Sequence, residues 1–158
     1  MATQHDITLD LNGTAHRVRV EARRTLVDVI REECGCTGTH IGCEHGVCGA
    51  CTVLMDGAAV RSCLLFAVQA DGRALRTVEG LEQNGVLHKL QQAFIDHHAL
   101  QCGYCTPGFL MLAVGLLEGD PNITDDALME GLSANLCRCT GYANIVRAVC
   151  AVAAEMRR

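Results

Sequence analysis

Eleven of the 158 residues are cysteine, and their spacing is the first chemistry the sequence offers. Cys43, Cys48 and Cys51 form C-x4-C-x2-C, and Cys63 stands alone further on. Three thiolates from one loop and a fourth from beyond it is the plant-type spacing for a [2Fe–2S] cluster. The eighteen residues from Cys34 to Cys51 hold five glycines, too many for regular structure. Bringing three thiolates onto one small group demands backbone angles that glycine adopts at low cost. Gly42, Gly46 and Gly49 also let backbone N–H groups approach the sulfurs. Such donors stabilise a thiolate cluster of net negative charge and tune its potential. Zinc also takes four thiolates, but its sites usually present paired C-x2-C knuckles. A Rieske-type site needs two histidines in place of two cysteines. Four cysteines are already at hand, so His45 reads as an exposed loop residue.

A second set follows in the other half of the chain. Cys102 and Cys105 form C-x2-C, and Cys137 and Cys139 form C-x-C. Spacing alone leaves a zinc site or a redox dithiol open beside an iron–sulfur cluster. The C-x-C pair has little reach for a zinc knuckle, which tilts the reading toward iron–sulfur. Cys105 comes just before an expected helix N-cap, and Cys137 and Cys139 just before the last helix. The positive ends of two helices can thus face one anionic group. Arg138, between the last two cysteines, either adds positive charge there or faces solvent. Cys34, Cys36 and Cys150 fall outside both sets, and Cys150 suits the role of a small buried hydrophobe.

The elements that must position these cysteines change character midway. Ile7, Leu9 and Leu11 alternate, Asn12-Gly13 signals a tight hairpin, and His16, Val18 and Val20 alternate again. Leu26 to Glu33 reads as a short helix. Asp56-Gly57 joins two strands, Thr52 to Met55 and Ala58 to Ser62, and a last strand is expected from Ala74 to Val78 after the Asp71-Gly72 turn. Beyond this the periodicity is helical. Val86, Leu87, Leu90 and Phe94 share one face. Thr106 is expected to cap a helix with Pro107 at its first position. Phe109 to Leu117 is nearly all apolar, as in a helix buried on most sides. Thr124 opens a third helix, and Ile145, Val149, Val152 and Met156 line a fourth.

A hydrophobic fraction of 49% allows a substantial core, although only 3% of residues are aromatic and none is Trp, so aliphatic and small residues must do the packing. The net charge of −5 argues against nucleic acid as a partner. No apolar run reaches the roughly 18 residues of a membrane span. The segment Met1 to Asp10 lacks the layout of a secretory signal, so a cytoplasmic location is expected. Disulfides do not persist in a reducing cytosol, so dense cysteine there points to metal.

Three stretches carry a resemblance. They are Gly42-Cys43-Glu44 through Cys48-Gly49-Ala50-Cys51-Thr52-Val53, then Gln101-Cys102-Gly103-Tyr104-Cys105-Thr106-Pro107-Gly108, then Asn135-Leu136-Cys137-Arg138-Cys139-Thr140-Gly141-Tyr142. In this order they make the chain similar to the iron–sulfur component of the molybdenum hydroxylase family, which includes xanthine oxidase and carbon monoxide dehydrogenase. The likeness runs from about Asp6 to Met156 and matches the separate small subunit of bacterial enzymes rather than the fused form.

The resemblance implies an α+β chain, with a plant-type ferredoxin-like β-grasp domain over residues 1–79 and a four-helix [2Fe–2S] domain over residues 80–158. It implies one cluster on Cys43, Cys48, Cys51 and Cys63 and another on Cys102, Cys105, Cys137 and Cys139. It implies a large partner subunit with molybdopterin cytosine dinucleotide and a medium subunit with FAD, in a heterotrimer or a dimer of heterotrimers. Electrons then pass from molybdenum through the helical-domain cluster and the plant-type cluster to FAD. Gln101 would hydrogen-bond the pterin and Cys139 would lie against it, while no catalytic residue belongs to this chain. Cys34, Cys36 and Cys150 depart from the family pattern. Related subunits serve carbon monoxide, aldehydes, purines, N-heterocycles and acyl-CoA thioesters, so the resemblance leaves the substrate open. A free electron shuttle and a zinc module are the rival readings, and a free shuttle has no need of a pterin-facing Gln101.

Overall fold

The computed structural model describes residues 3–157. Strand β1 (Gln4–Leu11) buries Ile7, Leu9 and Leu11 on one face, as strict alternation requires. It turns through Asn12 (φ 54°) and Gly13 (φ 78°) into β2 (Thr14–Glu21). Two successive positive φ values make the primed hairpin turn that follows strand twist, and Asn-Gly is the pair that tolerates it. Thr25 caps α1 (Leu26–Asp28) by accepting from the Asp28 N–H at 3.3 Å. A wider π-helical turn, Val29–Glu33, continues that helix.

Strands β3 (Thr52–Met55) and β4 (Ala58–Arg61) form the second hairpin, and β5 (Ala74–Arg76) lies between the two hairpins. The order is β2-β1-β5-β3-β4, with β1 and β5 parallel and the other pairs antiparallel. This mixed sheet wraps α1, and Leu9, Leu11, Leu26, Val29, Ile30 and Val53 fill the space between them.

Four helices follow: α2 (Lys89–Asp96), α3 (Thr106–Gly119), α4 (Asp125–Leu132) and α5 (Tyr142–Met156). Helix α3 is buried almost all round, which is why its sequence shows little amphipathic pattern. Thr124 caps α4 through the Ala127 N–H at 3.2 Å. The α+β architecture expected from the sequence is thus present.

The halves share a seam at β3. Alternation sends Val53 into the sheet core and Leu54 into the helical core. Full burial of a leucine is worth about 1.5–3 kcal/mol, so Leu54 is a real contributor to the joint. Small residues allow the close fit. A Cβ on Gly115 would sit 3.0 Å from Leu54, and one on Gly108 would sit 2.4 Å from the carbonyl oxygen of Gly49.

Several boundaries differ from the sequence expectation. The last strand ends at Arg76, because Val78–Gly80 turns as a 3₁₀ helix. Val86 and Leu87 precede α2 and stand 69% and 42% exposed, since His88 caps the helix by accepting from the Leu90 N–H. Cys105, not Thr106, is the N-cap of α3, so Pro107 is its second residue. Met156 is 42% exposed at the end of α5, where the helix outruns the core.

Gly108→Ala is expected to destabilise the protein by about 1–3 kcal/mol, since the new methyl meets fixed backbone and not a yielding side chain. A fall in thermal midpoint checks this, and Gly119→Ala, whose added Cβ would meet nothing within 4 Å, serves as the neutral control.

Candidate metal centres

The first loop takes its shape from its hydrogen bonds and glycines. The Cys48 N–H donates to Cys43 Sγ at 3.4 Å. Gly46 and Gly49 have φ of 84° and 72°, the left-handed region that glycine enters freely. A Cβ on Gly42 would lie 3.0 Å from Cys48 Sγ, so this position keeps the thiol's surroundings clear. Cys63 sits in the turn after β4. Ser62 holds it beside Cys51, donating to the Cys51 carbonyl through its N–H at 3.3 Å and its hydroxyl at 2.6 Å. Leu64 then folds over Gly46.

Neighbouring thiols shift one another's ionisation: Cys48 acts on Cys43, and Cys51 on Cys63. In the helical half Cys139 acts on Cys102, and Cys137 on Cys105. Each half thus brings four thiols into one neighbourhood, a donor set that fits a [2Fe–2S] cluster. Among the described residues, no three His, Cys, Asp or Glu side chains converge on a single ion.

The local fields differ within each set. Burial raises the Cys43 thiol, but N–H groups of Cys48, His45 and Val47 outweigh it and bring it down to about 6. Burial pushes Cys63 up to about 12, helped by the adjacent Cys51. Cys48 is raised, first by burial. In the second set Cys102 is exposed and lowered by the Tyr104 N–H and by Cys139. Cys105 is pushed up to about 12 by burial and by Cys137. The Gly141 N–H, at the start of α5, donates to Cys137 Sγ at 3.3 Å. Of the two helix ends expected to face the second set, that of α5 therefore does so. These donors fit a thiolate group of net negative charge in both places.

The two sets meet at a cleft of about 400 Å³ whose lining includes Cys48, Cys102, Cys105 and Cys137. Its floor is tied across the seam. The Leu136 N–H donates to the Cys48 carbonyl at 2.9 Å, and the buried Asn135 side chain donates to the Gly49 carbonyl at 3.2 Å. Tyr104 closes one wall, its hydroxyl donating to the Ile41 carbonyl at 2.6 Å.

His45 is exposed, as expected, with Nδ1 2.5 Å from the Cys43 carbonyl. Arg138 is exposed and lines the cleft, and Gln101 is exposed near the start of α5, where its Nε2 would lie 3.6 Å from a Cβ on Gly141. Cys34 and Cys36 pack against the sheet core, away from this cleft, and Cys150 against the helical core. Burial, then Cys36 and Glu33, push Cys34 up to about 11. Sequence reasoning gave no role to His40, Asn135 or the Leu136 amide. Asn135 and Leu136 lay inside a quoted motif, but His40 carried no signal.

In the iron-free chain Cys43 is expected to react with iodoacetamide half-maximally near pH 6 and to plateau by neutrality. Cys34 stays protonated and slow through pH 8. Mass-mapped alkylation against pH checks both.

Two family models match the chain: a 2Fe-2S iron–sulfur cluster binding domain over residues 9–81 and a [2Fe-2S] binding domain over residues 77–150. The chain is 59% identical to the nicotine 6-hydroxylase small subunit of Paenarthrobacter nicotinovorans, covering 91% of this chain and 87% of that one. It is 52% identical to caffeine dehydrogenase subunit gamma of Pseudomonas sp. (strain CBB1), over 93% and 90%. Its fold matches a chain of quinoline 2-oxidoreductase from Pseudomonas putida 86 with a TM-score of 0.91 and 50% identity, over 98% and 97%. With two [2Fe-2S] domain models covering most of its length and relatives matched over nearly their whole extent, the chain belongs to the small iron–sulfur subunits of the molybdenum hydroxylase family.

Proposed function

We propose that this chain relays single electrons between a molybdopterin cytosine dinucleotide on a large subunit and FAD on a medium subunit. Cys43, Cys48, Cys51 and Cys63 hold one [2Fe–2S] cluster, and Cys102, Cys105, Cys137 and Cys139 hold the other. The sheet and helical units divide near residue 79. Each cluster, when bound, supplies a one-electron redox couple. The chain's own residues hold the thiolates, keep N–H donors on the sulfurs and set the two groups beside one cleft.

The observation that carries this reading is the hydrogen bond from the Leu136 N–H to the Cys48 carbonyl at 2.9 Å. It joins the backbone of one thiol to the residue next to Cys137. Only covalent bonds and this one hydrogen bond then separate the two sulfurs, a short route for an electron. A free shuttle needs no second cluster held in this way. Gln101 and Cys139 belong to the more open set, where Cys102 is exposed, and Gln101 presents its amide to the pterin while the Cys139 thiolate lies against it.

No helix among the described residues is long and apolar enough to cross a membrane. We place the complex in the cytoplasm as a heterotrimer or a dimer of heterotrimers. Three relatives at 50–59% identity have names that refer to nicotine, caffeine and quinoline, all N-heterocycles. We infer that the large subunit acts on an N-heteroaromatic compound, and a substrate screen of the purified complex tests this.

The protein purified without air exposure is expected to hold iron and labile sulfide in equal amounts and to give two distinct EPR signals on reduction. Stoichiometric zinc without iron would sink the relay. Cys102→Ser is expected to stop electron flow from molybdenum to FAD while the plant-type signal stays. Normal turnover in that variant would overturn the assignment of the second set.

A further inference from the structure

Tyr104 lies between Cys102 and Cys105 yet makes its side-chain contacts in the sheet half. Its hydroxyl donates to the Ile41 carbonyl at 2.6 Å, two residues before Cys43. Its ring stacks on His40, with centroids 4.6 Å apart and planes at 23°. Its carbonyl lies 2.7 Å from His40 Nδ1, so that nitrogen carries the proton and donates. His40 is anchored in turn, because the Arg31 guanidinium donates to the carbonyls of Thr37 at 2.7 Å and Thr39 at 2.8 Å.

The loop that carries Tyr104 is short of backbone support. Gly103 has φ of 82° and open space around it, Cys102 is exposed, and beside the Tyr104 N–H that faces the Cys102 thiol one backbone turn bond runs from the Thr106 N–H to the Gly103 carbonyl at 3.1 Å. Across the cleft, Asn135 and Leu136 bond the first loop through Gly49 and Cys48. The cleft thus has one wall tied through residues 135–136 and one tied through Tyr104. Tyr104 itself is 49% exposed, so the hydrophobic effect does not explain its placement.

We propose that Tyr104 is a positioning residue that sets the electronic coupling between the two clusters, with His40 as the latch that holds it. The proposal rests on the two-cluster reading above. An electron lost by one cluster is gained by the other, and no other bond changes. The rate of that exchange falls exponentially with separation, so a loop held on one side only would slow it.

The test uses the full chain with both clusters in place. Tyr104→Leu removes ring and hydroxyl, Tyr104→Phe removes the hydroxyl alone, and His40→Ala removes the latch. The readouts are cluster content, the spin–spin splitting between the two reduced clusters by EPR, and the internal electron-transfer rate after rapid reduction. The expected result is a changed splitting and a several-fold slower transfer in Tyr104→Leu and His40→Ala, with both clusters at full content and a smaller effect in Tyr104→Phe. Unchanged splitting and rate in fully loaded variants would overturn the latch. If Tyr104→Leu loses the second cluster, Tyr104→Phe and His40→Ala decide by the same readouts. A wild-type protein that lacks two [2Fe–2S] signals would overturn the relay reading, and the latch with it.

Discussion

The structure depends on one close approach, the first turn of α3 against the backbone of Gly49 and Ala50. Gly108 permits it, because any side chain there would strike the Gly49 carbonyl. Cys48 adjoins one side of this contact, and Cys105 stands three residues before the other. Packing and chemistry are therefore one construction. Moving α3 outward to relieve a clash would also carry Cys105, its N-cap, away from the first set. The polar ties across the seam are individually small, about 0.5–1.5 kcal/mol each net. Buried Leu54 and the apolar face of α3 supply the bulk of the adhesion, and the hydrogen bonds fix the register.

Each thiol set pairs an easily ionised member with a reluctant one. Cys43 and Cys102 are lowered by N–H donors, while Cys63 and Cys105 are raised by burial. Iron binds thiolates, so loading the sites must release the protons held by the buried members.

Much of this was legible in the residues themselves. The spacing of Cys43, Cys48 and Cys51 pointed to a cluster loop, and Asn12-Gly13 and Asp56-Gly57 pointed to hairpins, because positive φ has few takers. Thr124 announced α4 for a similarly local reason. Errors fell where tertiary contacts competed with local signals. Val86 and Leu87 share the apolar period of α2 but have no core to meet, so the helix starts only after His88. Thr106 falls one residue inside α3, and Cys105 takes the N-cap position with helical backbone angles and no side-chain cap bond.

By itself the sequence pointed to the two kinds of domain, to the cluster loop of Cys43, Cys48 and Cys51 and to the glycines that let it fold around sulfur. Those are local properties, set by side-chain type and backbone angle. Only the tertiary structure decided that Cys48 and three thiols of the second half line one cleft, and that the Leu136 amide and the Tyr104 hydroxyl bridge it. Backbone donors and a histidine sixty-four residues from its partner leave no spacing to read, because their roles come from where the chain folds and not from what it contains.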